Sequence, residues 1–321
     1  MYKCLIQKEI GKYPQLEVKY IPEGYDGPVI EMKAAALNHR DLWITQGKYA
    51  RIKLPVVLGS DGSGIYEGKR VLAQPGMNWP PGSPWQSKDY QIVGMPGDGT
   101  FAEKFAIPER YIHPMPAHLS FEEGAALPLA GLTGWRALVT KGSPKTGDKI
   151  LINGIGGGVA LTIFTFAKAM GLEIYVTSGD HQKIDKAIRL GAKGGVLYTN
   201  ENYVDELIEM SGGIDIILDS AGGNGLGSLL NLCNPGARIV LYGGTLGQIS
   251  LSPQKLFWKQ ISIHGTTMGS DQEFQEMLDF VTKHEVRPVI DSVYPLHQSE
   301  LAFQRMQKGQ QFGKIVFHIA D

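Results

Sequence analysis

Cysteine is scarce in this chain of 321 residues, which contains only Cys4 and Cys233. The two lie far apart in the sequence and neither belongs to a C-x-x-C pair, so the pattern predicts neither a disulfide framework nor a cysteine-based zinc site. We interpret each as a free thiol. Free thiols are typical of a reducing compartment, and the cytoplasm is therefore the expected location.

Long apolar runs and an excess of charge are also missing. No segment is apolar over the length needed to cross a bilayer, and Met1-Tyr2-Lys3 leads into a short strand and not into a signal peptide. The formal net charge is −1 and there is no basic stripe, so neither nucleic acid nor a membrane is expected as a partner. The content of 43% hydrophobic and 20% charged residues is typical of a soluble globular protein, and the length indicates about two domains.

The chain does contain a glycine-rich turn between a predicted strand and a predicted helix. Ile150–Ile152 is an apolar run of buried-strand length, residues 154–158 hold four glycines, and Val159–Met170 has the pattern of a buried helix. This order is typical of the first βαβ unit of a dinucleotide-binding domain, where glycines permit a tight turn and the close approach of a pyrophosphate. A turn with a structural role alone is the alternative.

The spacing of these glycines departs from the usual fingerprint. In G-x-G-x-x-G counted from Gly154, the sixth place is taken by Val159. A spacing of G-x-x-G-x-x-A fits, from Gly154 through Gly157 to Ala160. The interpretation as a nucleotide-binding turn therefore depends on the strands and helices that follow it.

Strands and helices alternate regularly after the turn. The predicted elements are strands Glu173–Thr177, Gly195–Tyr198, Ile214–Leu218, Arg238–Tyr242 and Ile261–Gly265, and helices Gln182–Leu190, Val204–Met210, Leu226–Leu232 and Pro253–Lys259. Six strands with crossover helices predict an α/β fold with a doubly wound parallel sheet.

The chain up to about Pro116 is predicted to be rich in β-strands, although residues 74–99 are dense in proline and glycine and predict a long loop. A capping box at residues 120–123 starts a helix that runs into Pro128, and a second helix is expected to start near Gly131. After a helix over Asp271–Glu285, the C-terminal strands have no obvious partner in the nucleotide sheet. We expect the C-terminus to return to the first domain, which makes that domain discontinuous.

Several short motifs in a fixed order resemble the medium-chain dehydrogenase/reductase superfamily, and within it the zinc-independent quinone oxidoreductase-like branch. They are Ala36-Leu37-Asn38-His39-Arg40-Asp41, Leu58-Gly59-Ser60-Asp61-Gly62-Ser63-Gly64, Gly99-Thr100-Phe101-Ala102-Glu103, Leu127-Pro128-Leu129-Ala130-Gly131-Leu132-Thr133, the glycine turn, Leu190-Gly191-Ala192 and Gly313-Lys314-Ile315-Val316. The resemblance implies a GroES-like substrate domain (1–122 plus 287–321), an inserted Rossmann NADP-binding domain (123–286), a site in a cleft, and a homodimer.

No metal is expected. By the resemblance, zinc-dependent relatives place a cysteine where Asn38 stands and a His-Glu pair where Ser60-Asp61 stands, and asparagine and serine are poor zinc ligands. Those relatives also carry a four-cysteine lobe near residues 75–100, a stretch that contains no cysteine here. His39 is interpreted as a solvated histidine.

The expected absence of zinc favours substrates that can delocalise a developing negative charge within their own conjugated system. Quinones and α,β-unsaturated carbonyls give a phenolate or an enolate when they accept hydride, and hydrogen bonds can stabilise either oxyanion. The predicted function is therefore NADPH-dependent hydride transfer to such small molecules. An alcohol dehydrogenase-like enzyme acting on another carbonyl, and a nucleotide-binding redox sensor without significant turnover, are the alternatives.

NADP is the expected cofactor. The acidic residue that binds the ribose of NAD normally ends the second strand, and the resemblance aligns Ser178 with that place. Lys183 matches the family's phosphate-binding lysine, and Tyr198 is similar to a tyrosine that assists it. Asp180 is a contrary feature, since it could reach a ribose, and a solvated helix face is the alternative for Lys183.

Four residues are candidates for contact with the substrate or for catalysis. Asn38 and Asp41 match the Asn-x-x-Asp of quinone reductase-like enzymes, where Asn38 would donate to a substrate carbonyl. Both also suit a helix start, Asn38 as N-cap and Asp41 in the first turn. Tyr49 could donate a hydrogen bond or line the wall of the site, and Thr133 is expected at a helix start facing the nicotinamide ribose or amide, or as a helix cap.

The remaining candidates would bind the cofactor. Most follow predicted strands, at the carboxyl edge where ligands lie in such sheets. Met268 could equally belong to the core, and Lys314 could contact cofactor phosphates or lie on the surface. The full set is Gly154, Gly156, Gly157, Gly158, Val159, Ser178, Lys183, Tyr198, Ser220, Gly243, Gly244, Met268 and Lys314.

Overall fold

The computed structural model describes residues 1–21 and 23–320, and the chain divides into two compact units. Unit 1 contains residues 1–132 and the chain from Gly269 onward, and unit 2 is Thr133–Met268. The sequence-based boundaries at 122/123 and 286/287 differ from these, because the helix that follows the capping box, the first part of the next helix and the helix after Gly269 belong to unit 1. Residues 22 and 321 of the predicted ranges lie outside the described residues.

The strands and helices follow in chain order. The strands are β1 Tyr2–Gln7, β2 Gln15–Lys19, β3 Val29–Ala36, β4 Val56–Val57, β5 Asp61–Tyr66, β6 Lys69–Ala73, β7 Gly76–Met77, β8 Gln91–Ile92, β9 Lys104–Ala106, β10 Ile112–Pro114, β11 Lys149–Asn153, β12 Glu173–Ser178, β13 Gly194–Leu197, β14 Ile214–Asp219, β15 Cys233–Leu241, β16 Ser262–Gly265, β17 Ile290–Pro295 and β18 Lys314–His318. The α-helices are α1 His39–Thr45, α2 Phe121–Ala126, α3 Pro128–Trp135, α4 Gly158–Ala169, α5 His181–Leu190, α6 Tyr203–Ser211, α7 Leu226–Leu229, α8 Pro253–Lys259, α9 Asp271–Lys283 and α10 Ser299–Gln307. Short 3-10 segments cover Glu109–Tyr111 and Leu296–Gln298, and a π-helical segment covers Arg136–Lys141.

Unit 1 is built on a mostly antiparallel sheet in the order β10-β6-β5-β3-β18-β17, with β9 also pairing with β3. β18 lies antiparallel to β3, with Val316 opposite Ala36. The expected return of the C-terminus to the first domain is therefore confirmed. A smaller sheet has the order β2-β1-β4, and β7 and β8 form a short ribbon within the predicted loop of residues 74–99.

The sequence analysis missed strand β5 because its sequence is rich in glycine. A Cβ atom at Gly62 would lie 2.2 Å from Met32 Cε, and one at Gly64 would lie 2.2 Å from the carbonyl oxygen of Glu31. Glycine is therefore needed in this strand for close packing, although it disfavours a strand by intrinsic preference.

Unit 2 contains a six-stranded parallel sheet in the order β13-β12-β11-β14-β15-β16. The first strand, β11, lies in the middle, and the order reverses on its two sides. The predicted Rossmann fold is confirmed. All six carboxyl ends meet at one edge of the sheet, and the residues that follow them are the candidates for ligand binding.

One helix boundary in the sequence analysis is wrong. The second helix after the capping box begins at Pro128 and not near Gly131, because proline is favoured at the first position of a helix. Thr133 consequently lies well inside α3 and not at its start. In the described residues, no helix has the combination of length and apolar character that a membrane span requires.

Candidate functional site

The glycine turn after β11 has the backbone shape that a nucleotide-binding turn needs. Gly154 and Gly156 have φ angles of +88° and +138°, which residues with a side chain rarely adopt. Gly157 is the N-cap of α4 and supplies no side chain to cap it. A Cβ atom at Gly154 or Gly157 would meet no described atom within 4 Å. The N–H groups at the start of α4 are thus available to a phosphate.

Polar side chains fix this turn to the neighbouring strands. The N–H of Gly154 donates to Thr177 Oγ1 at 2.9 Å, and that hydroxyl donates to Asn153 Oδ1 at 2.6 Å. Asn153 Nδ2 in turn donates to Asp219 Oδ2. Asp219 Oδ1 accepts the N–H of Gly222 at 2.6 Å. The ends of β11, β12 and β14 are therefore held in one network that sequence reasoning missed, because its members are distant in sequence.

Lys183 of α5 lies over the glycine turn. A Cβ atom at Gly156 would be 3.0 Å from Lys183 Cδ and 3.3 Å from its Nζ. The ammonium group thus lies beside the start of α4, where the helix dipole and the free N–H groups also favour an anion. A positive charge in this position fits a phosphate group of a dinucleotide.

Asp180 and Ser178 form the turn that begins α5. Asp180 is the N-cap residue, and its Oδ1 accepts the N–H of Gln182 at 2.9 Å. Ser178 Oγ accepts the N–H of Asp180 at 3.1 Å. Tyr198 lies against Gly179, where an added Cβ atom would be 2.6 Å from its hydroxyl oxygen. The Asp180 carboxylate, which was the contrary feature for NADP, thus caps the helix that it begins.

Two further pairs of candidate residues are in contact within unit 2. Gly243 packs against Ser220 so closely that a Cβ atom would lie 2.3 Å from the serine carbonyl oxygen, whereas Gly244 has no described atom within 4 Å of such a position. Thr133 Oγ1 is 3.8 Å from Met268 Sδ, and both residues are buried. Met268 also has a φ of +48°, a conformation uncommon for a residue with a side chain.

A buried polar cluster in unit 1 joins Asn38, Asp61 and Lys314. The Lys314 ammonium donates to Asn38 Oδ1 at 2.7 Å and to Asp61 Oδ2 at 2.8 Å, and Asn38 Nδ2 donates to the same Asp61 oxygen at 2.9 Å. The other carboxylate oxygen accepts the N–H of Leu129 at 2.7 Å. Lys314 is only 4% exposed and is therefore not a surface lysine. Its contact with cofactor phosphates stays a prediction.

Asp41 is fully buried and bonds to backbone. Its Oδ2 accepts the N–H of Asn38 at 2.8 Å, and its Oδ1 accepts the N–H of Gly59 at 3.3 Å. Burial raises the pKa of this carboxyl to about 6, although the nearby Arg40 guanidinium and the Asn38 N–H act in the opposite direction. Asp41 thus connects the start of α1 to the turn before β5, while the Asn38 side chain points to Asp61 and Lys314.

Sequence reasoning quoted Arg40 only as part of a motif and missed its surroundings. Its Nε donates to Tyr49 Oη at 3.3 Å, and its guanidinium carbon lies 5.0 Å from the centre of the Tyr49 ring. Its Nη1 donates to Ser60 Oγ and to the carbonyl oxygen of Val93. The signal available in the sequence was an arginine between two apolar stretches, residues 34–37 and 42–44.

The side chains in this part of unit 1 do not suit zinc. Position 38 offers an amide and position 60 a hydroxyl, and the Asp61 carboxylate is already paired with the Lys314 ammonium. Zinc in proteins is held by cysteine, histidine or carboxylate groups. Within residues 1–21 and 23–320, no three His, Cys, Asp or Glu side chains are grouped so that they could hold a metal ion.

Two protein families match successive parts of the chain. Residues 25–117 match the alcohol dehydrogenase GroES-like domain, and residues 158–283 match the family described as zinc-binding dehydrogenase. The zinc-type alcohol dehydrogenase-like protein YogA of Leptosphaeria maculans is 34% identical over 96% of this chain and 95% of its own length. The chain belongs to the medium-chain dehydrogenase/reductase superfamily.

Similarity to quinone oxidoreductases supports membership of this chain in the quinone oxidoreductase-like branch of the superfamily. The quinone oxidoreductase of Mus musculus is 29% identical, over 96% of this chain and 93% of its own length. The quinone oxidoreductase from Thermus thermophilus, solved also with NADPH, has a TM-score of 0.83 at 26% identity and covers 99% of this chain and 100% of its own. A solved NAD-dependent alcohol dehydrogenase has a TM-score of 0.90 at 30% identity, with the same coverage.

These findings establish the general class of the protein. It is an oxidoreductase with the pyridine-nucleotide-binding fold of its superfamily. The open glycine turn, the uncapped start of α4 and the Lys183 ammonium fit a dinucleotide. When bound, a reduced nicotinamide nucleotide supplies a hydride.

Proposed function

We propose that this protein is a zinc-independent reductase that transfers hydride from NADPH to quinones or α,β-unsaturated carbonyls. The observation that carries this proposal is the interlocked group of Asn38, Asp61 and Lys314, in which the positions that resemble zinc-ligand positions bond to each other. A substrate in this enzyme must spread its developing negative charge by conjugation, with help from hydrogen-bond donors of the protein.

The residues of this chain hold and orient the reactants. In unit 2 the N–H groups at the start of α4 bind the pyrophosphate of the nucleotide, and the Lys183 ammonium beside the turn binds the additional phosphate of NADPH. The network around Thr177 keeps the turn in shape. In unit 1 the Arg40 guanidinium is the donor to a carbonyl oxygen, because the Asn38 amide nitrogen already donates to Asp61 and to the carbonyl oxygen of Ala36. Asp41 positions Asn38 through the backbone and does not contact the substrate.

The acceptor chemistry is tested with a labelled hydride. NADPH carrying deuterium at the transferred position is incubated with enzyme and crotonaldehyde, and the product is analysed by NMR. We expect deuterium on the β-carbon of butanal, because conjugate reduction delivers the hydride there. Deuterium on the carbonyl carbon, which gives crotyl alcohol, would instead identify an enzyme of the alcohol dehydrogenase type.

NADPH is proposed over NADH because Lys183 supplies a charge for the additional phosphate and Asp180 is engaged as a helix cap. In the Lys183→Ala variant, we expect the dissociation constant for NADPH to rise about tenfold or more, since a charge-assisted contact is lost. The dissociation constant for NADH should change by less than about threefold. Isothermal titration measures both.

The control for Lys183 is Lys193→Ala, which removes an exposed lysine from the same unit. It should leave both dissociation constants unchanged. Equal weakening of NADPH and NADH binding by Lys183→Ala, or equal affinity of the unaltered enzyme for both nucleotides, would contradict the proposed preference.

An alcohol dehydrogenase-like activity on another carbonyl substrate is the second candidate. The names of two relatives favour it, the zinc-type protein of Leptosphaeria maculans and the solved NAD-dependent alcohol dehydrogenase. NAD-dependent oxidation of simple alcohols that exceeds NADPH-dependent reduction of quinones would select this candidate. NADPH binding without turnover of any substrate would select a redox sensor.

We also propose a homodimer in the cytoplasm. Among the described strands, β16 pairs only with β15, so its outer edge is available to a second copy of the chain. Phe257 and Trp258 of the preceding helix are 60% and 79% exposed, and aromatic residues are enriched at protein interfaces. The two free, buried cysteines support a reducing location, which fractionation of cells that express the protein would test.

A further inference from the structure

Arg40 is a buried cation without an ionic partner in the described part of the chain. It is the second residue of α1 and only 6% exposed. Arginine keeps its charge in proteins, and buried charges are normally paired because their desolvation is costly. Asp61 is matched by Lys314 at 2.8 Å, and the Asp41 carboxylate accepts backbone N–H groups. Neither forms an ion pair with Arg40, although the Arg40 charge is close enough to lower the pKa of the Asp41 carboxyl against the larger effect of burial.

The groups that do bond to Arg40 fix its orientation. Nη1 donates to the carbonyl oxygen of Val93 at 2.7 Å and to Ser60 Oγ, and Ser60 itself donates to the same carbonyl at 2.8 Å. Nε donates to the Tyr49 hydroxyl, and the Tyr49 ring lies beside the guanidinium plane. These acceptors are all uncharged. They hold the guanidinium on two of its three nitrogens.

The third nitrogen, Nη2, is buried and has no hydrogen-bond acceptor among residues 1–21 and 23–320. A buried donor that is left unsatisfied costs free energy, and this cost is larger when the donor is charged. The most favourable acceptor for such a group is an oxyanion, which both accepts the hydrogen bond and neutralises the charge. The described residues offer none, so an oxyanion of a ligand is the acceptor that suits this nitrogen best.

We propose that Arg40 Nη2 binds the substrate oxygen that becomes negatively charged during reduction, so that Arg40 is a catalytic residue. The ligand class is a conjugated carbonyl compound whose reduced form is a phenolate or an enolate. This inference depends on the proposed function for the identity of the reaction. The presence of an oxyanion site can be tested independently of turnover.

The reaction step balances with the reduced nicotinamide nucleotide as reductant. For an enal, a C–H bond forms at the β-carbon as the corresponding C–H bond of the nucleotide breaks, and the conjugated electrons move to the carbonyl oxygen. The resulting enolate oxygen bonds to Arg40 Nη2. Water then protonates the α-carbon and leaves hydroxide, so that the substrate has gained two electrons and two protons. Arg40 stabilises the charge on this oxygen and transfers no proton.

Binding of 4-nitrophenol tests the oxyanion site without any turnover. The phenolate form absorbs visible light, so a titration of absorbance against pH gives the pKa of the bound probe. With the unaltered enzyme and NADP⁺, we expect the pKa of the bound probe to lie about one unit below that of the free phenol. This shift corresponds to binding of the phenolate about tenfold tighter than binding of the neutral phenol. Arg40→Gln should abolish this shift. An equal shift in Arg40→Gln overturns the proposal.

Arg110→Gln is the matched control for the probe. Arg110 also lies in unit 1 with its guanidinium carbon 4.7 Å from a tyrosine ring centre, but it is exposed. Its replacement should leave the probe's pKa shift intact. If Arg110→Gln and Arg40→Gln reduce the shift equally, the probe is responding to general charge and the assignment to Arg40 fails.

Turnover supplies the second test. Arg40→Gln should lower kcat with benzoquinone and crotonaldehyde about 100-fold or more, as expected for loss of an oxyanion donor, with the KM for NADPH unchanged. Added guanidinium should restore part of the activity of Arg40→Ala but not affect the unaltered enzyme. Unchanged kcat in Arg40→Gln overturns the proposal.

Arg40→Lys covers the case in which removal of the buried cation prevents folding. Lysine keeps the charge but loses the planar fork, so kcat should fall about tenfold or more while the thermal unfolding midpoint stays near that of the unaltered enzyme. Retention of full activity would contradict the assignment. If the unaltered enzyme reduces no acceptor but binds nitrophenolate through Arg40, the oxyanion site stands and the proposed function fails.

Discussion

Asp41 is completely buried and lies next to Arg40, the proposed catalytic residue. Its pKa of about 6 lies above the ordinary value of 3.8, because burial disfavours the charged form. The folded protein therefore binds more protons than the unfolded chain between about pH 4 and pH 6. The contribution of Asp41 to stability is complete below this range and is lost as the pH rises through 6.

Asp41→Asn removes this titration, since asparagine resembles the protonated carboxyl at every pH. We expect the unfolding free energy of the unaltered protein, minus that of the variant, to decrease by up to about 3 kcal/mol from pH 4 to pH 7. Urea denaturation of both proteins across this range measures the difference. A difference that stays constant or increases with pH would contradict the raised pKa.

Single residues were predicted best where chain neighbours determine their role. The positive φ angles of Gly154 and Gly156 follow from the requirement for a tight turn, and the sequence contains that requirement locally. The Asn38–Asp61–Lys314 cluster brings together residues from distant parts of the chain. Its geometry could not be predicted, because spacing in one sequence does not reveal which buried polar groups meet.

Strand β5 illustrates the same limit at the level of elements. Glycine has a low preference for strands, yet β5 lies between β3 and β6, where close neighbouring atoms leave little room for a side chain at Gly62 and Gly64. The long alternating pattern of unit 2 was predictable, because helical and strand periodicity recurs with short connections. β5 became recognisable only through its neighbours in the folded sheet.

Gly64→Ala should therefore destabilise unit 1. The new methyl group would lie 2.2 Å from the Glu31 carbonyl oxygen and 2.8 Å from Ile30 Cγ2, and a backbone carbonyl in a paired strand cannot move aside cheaply. We expect a loss of more than about 2 kcal/mol in unfolding free energy, measured by chemical denaturation.

Gly97→Ala provides the comparison for Gly64→Ala. A Cβ atom at Gly97 meets no described atom within 4 Å, so the expected change is within about 0.5 kcal/mol. Similar losses in the two variants would show that the cost comes from replacing any glycine and not from the close approach of β5 to β3.

The proposed dimer is a property of the whole molecule. Two copies joined at β16 would form a symmetric interface in which the same residues meet from both chains. Sedimentation velocity should give a mass twice that of the 35.1-kDa chain. Trp258→Glu should weaken the dimer about tenfold or more, since it places a charge beside the proposed interface.

Trp85→Glu is the control for the dimer, because Trp85 is 70% exposed and belongs to unit 1. It should leave the sedimenting mass unchanged. A monomeric unaltered protein, or equal dissociation by both substitutions, would argue against an interface at β16.

We propose that this oxidoreductase reduces conjugated carbonyls with NADPH and without zinc. The most direct measurement combines elemental analysis with the rate of NADPH oxidation on benzoquinone and crotonaldehyde, before and after dialysis against a chelator. We predict zinc well below one atom per chain and a kcat that the chelator leaves unchanged. Stoichiometric zinc whose removal abolishes turnover, or no oxidation of NADPH with either acceptor, would contradict the proposed function.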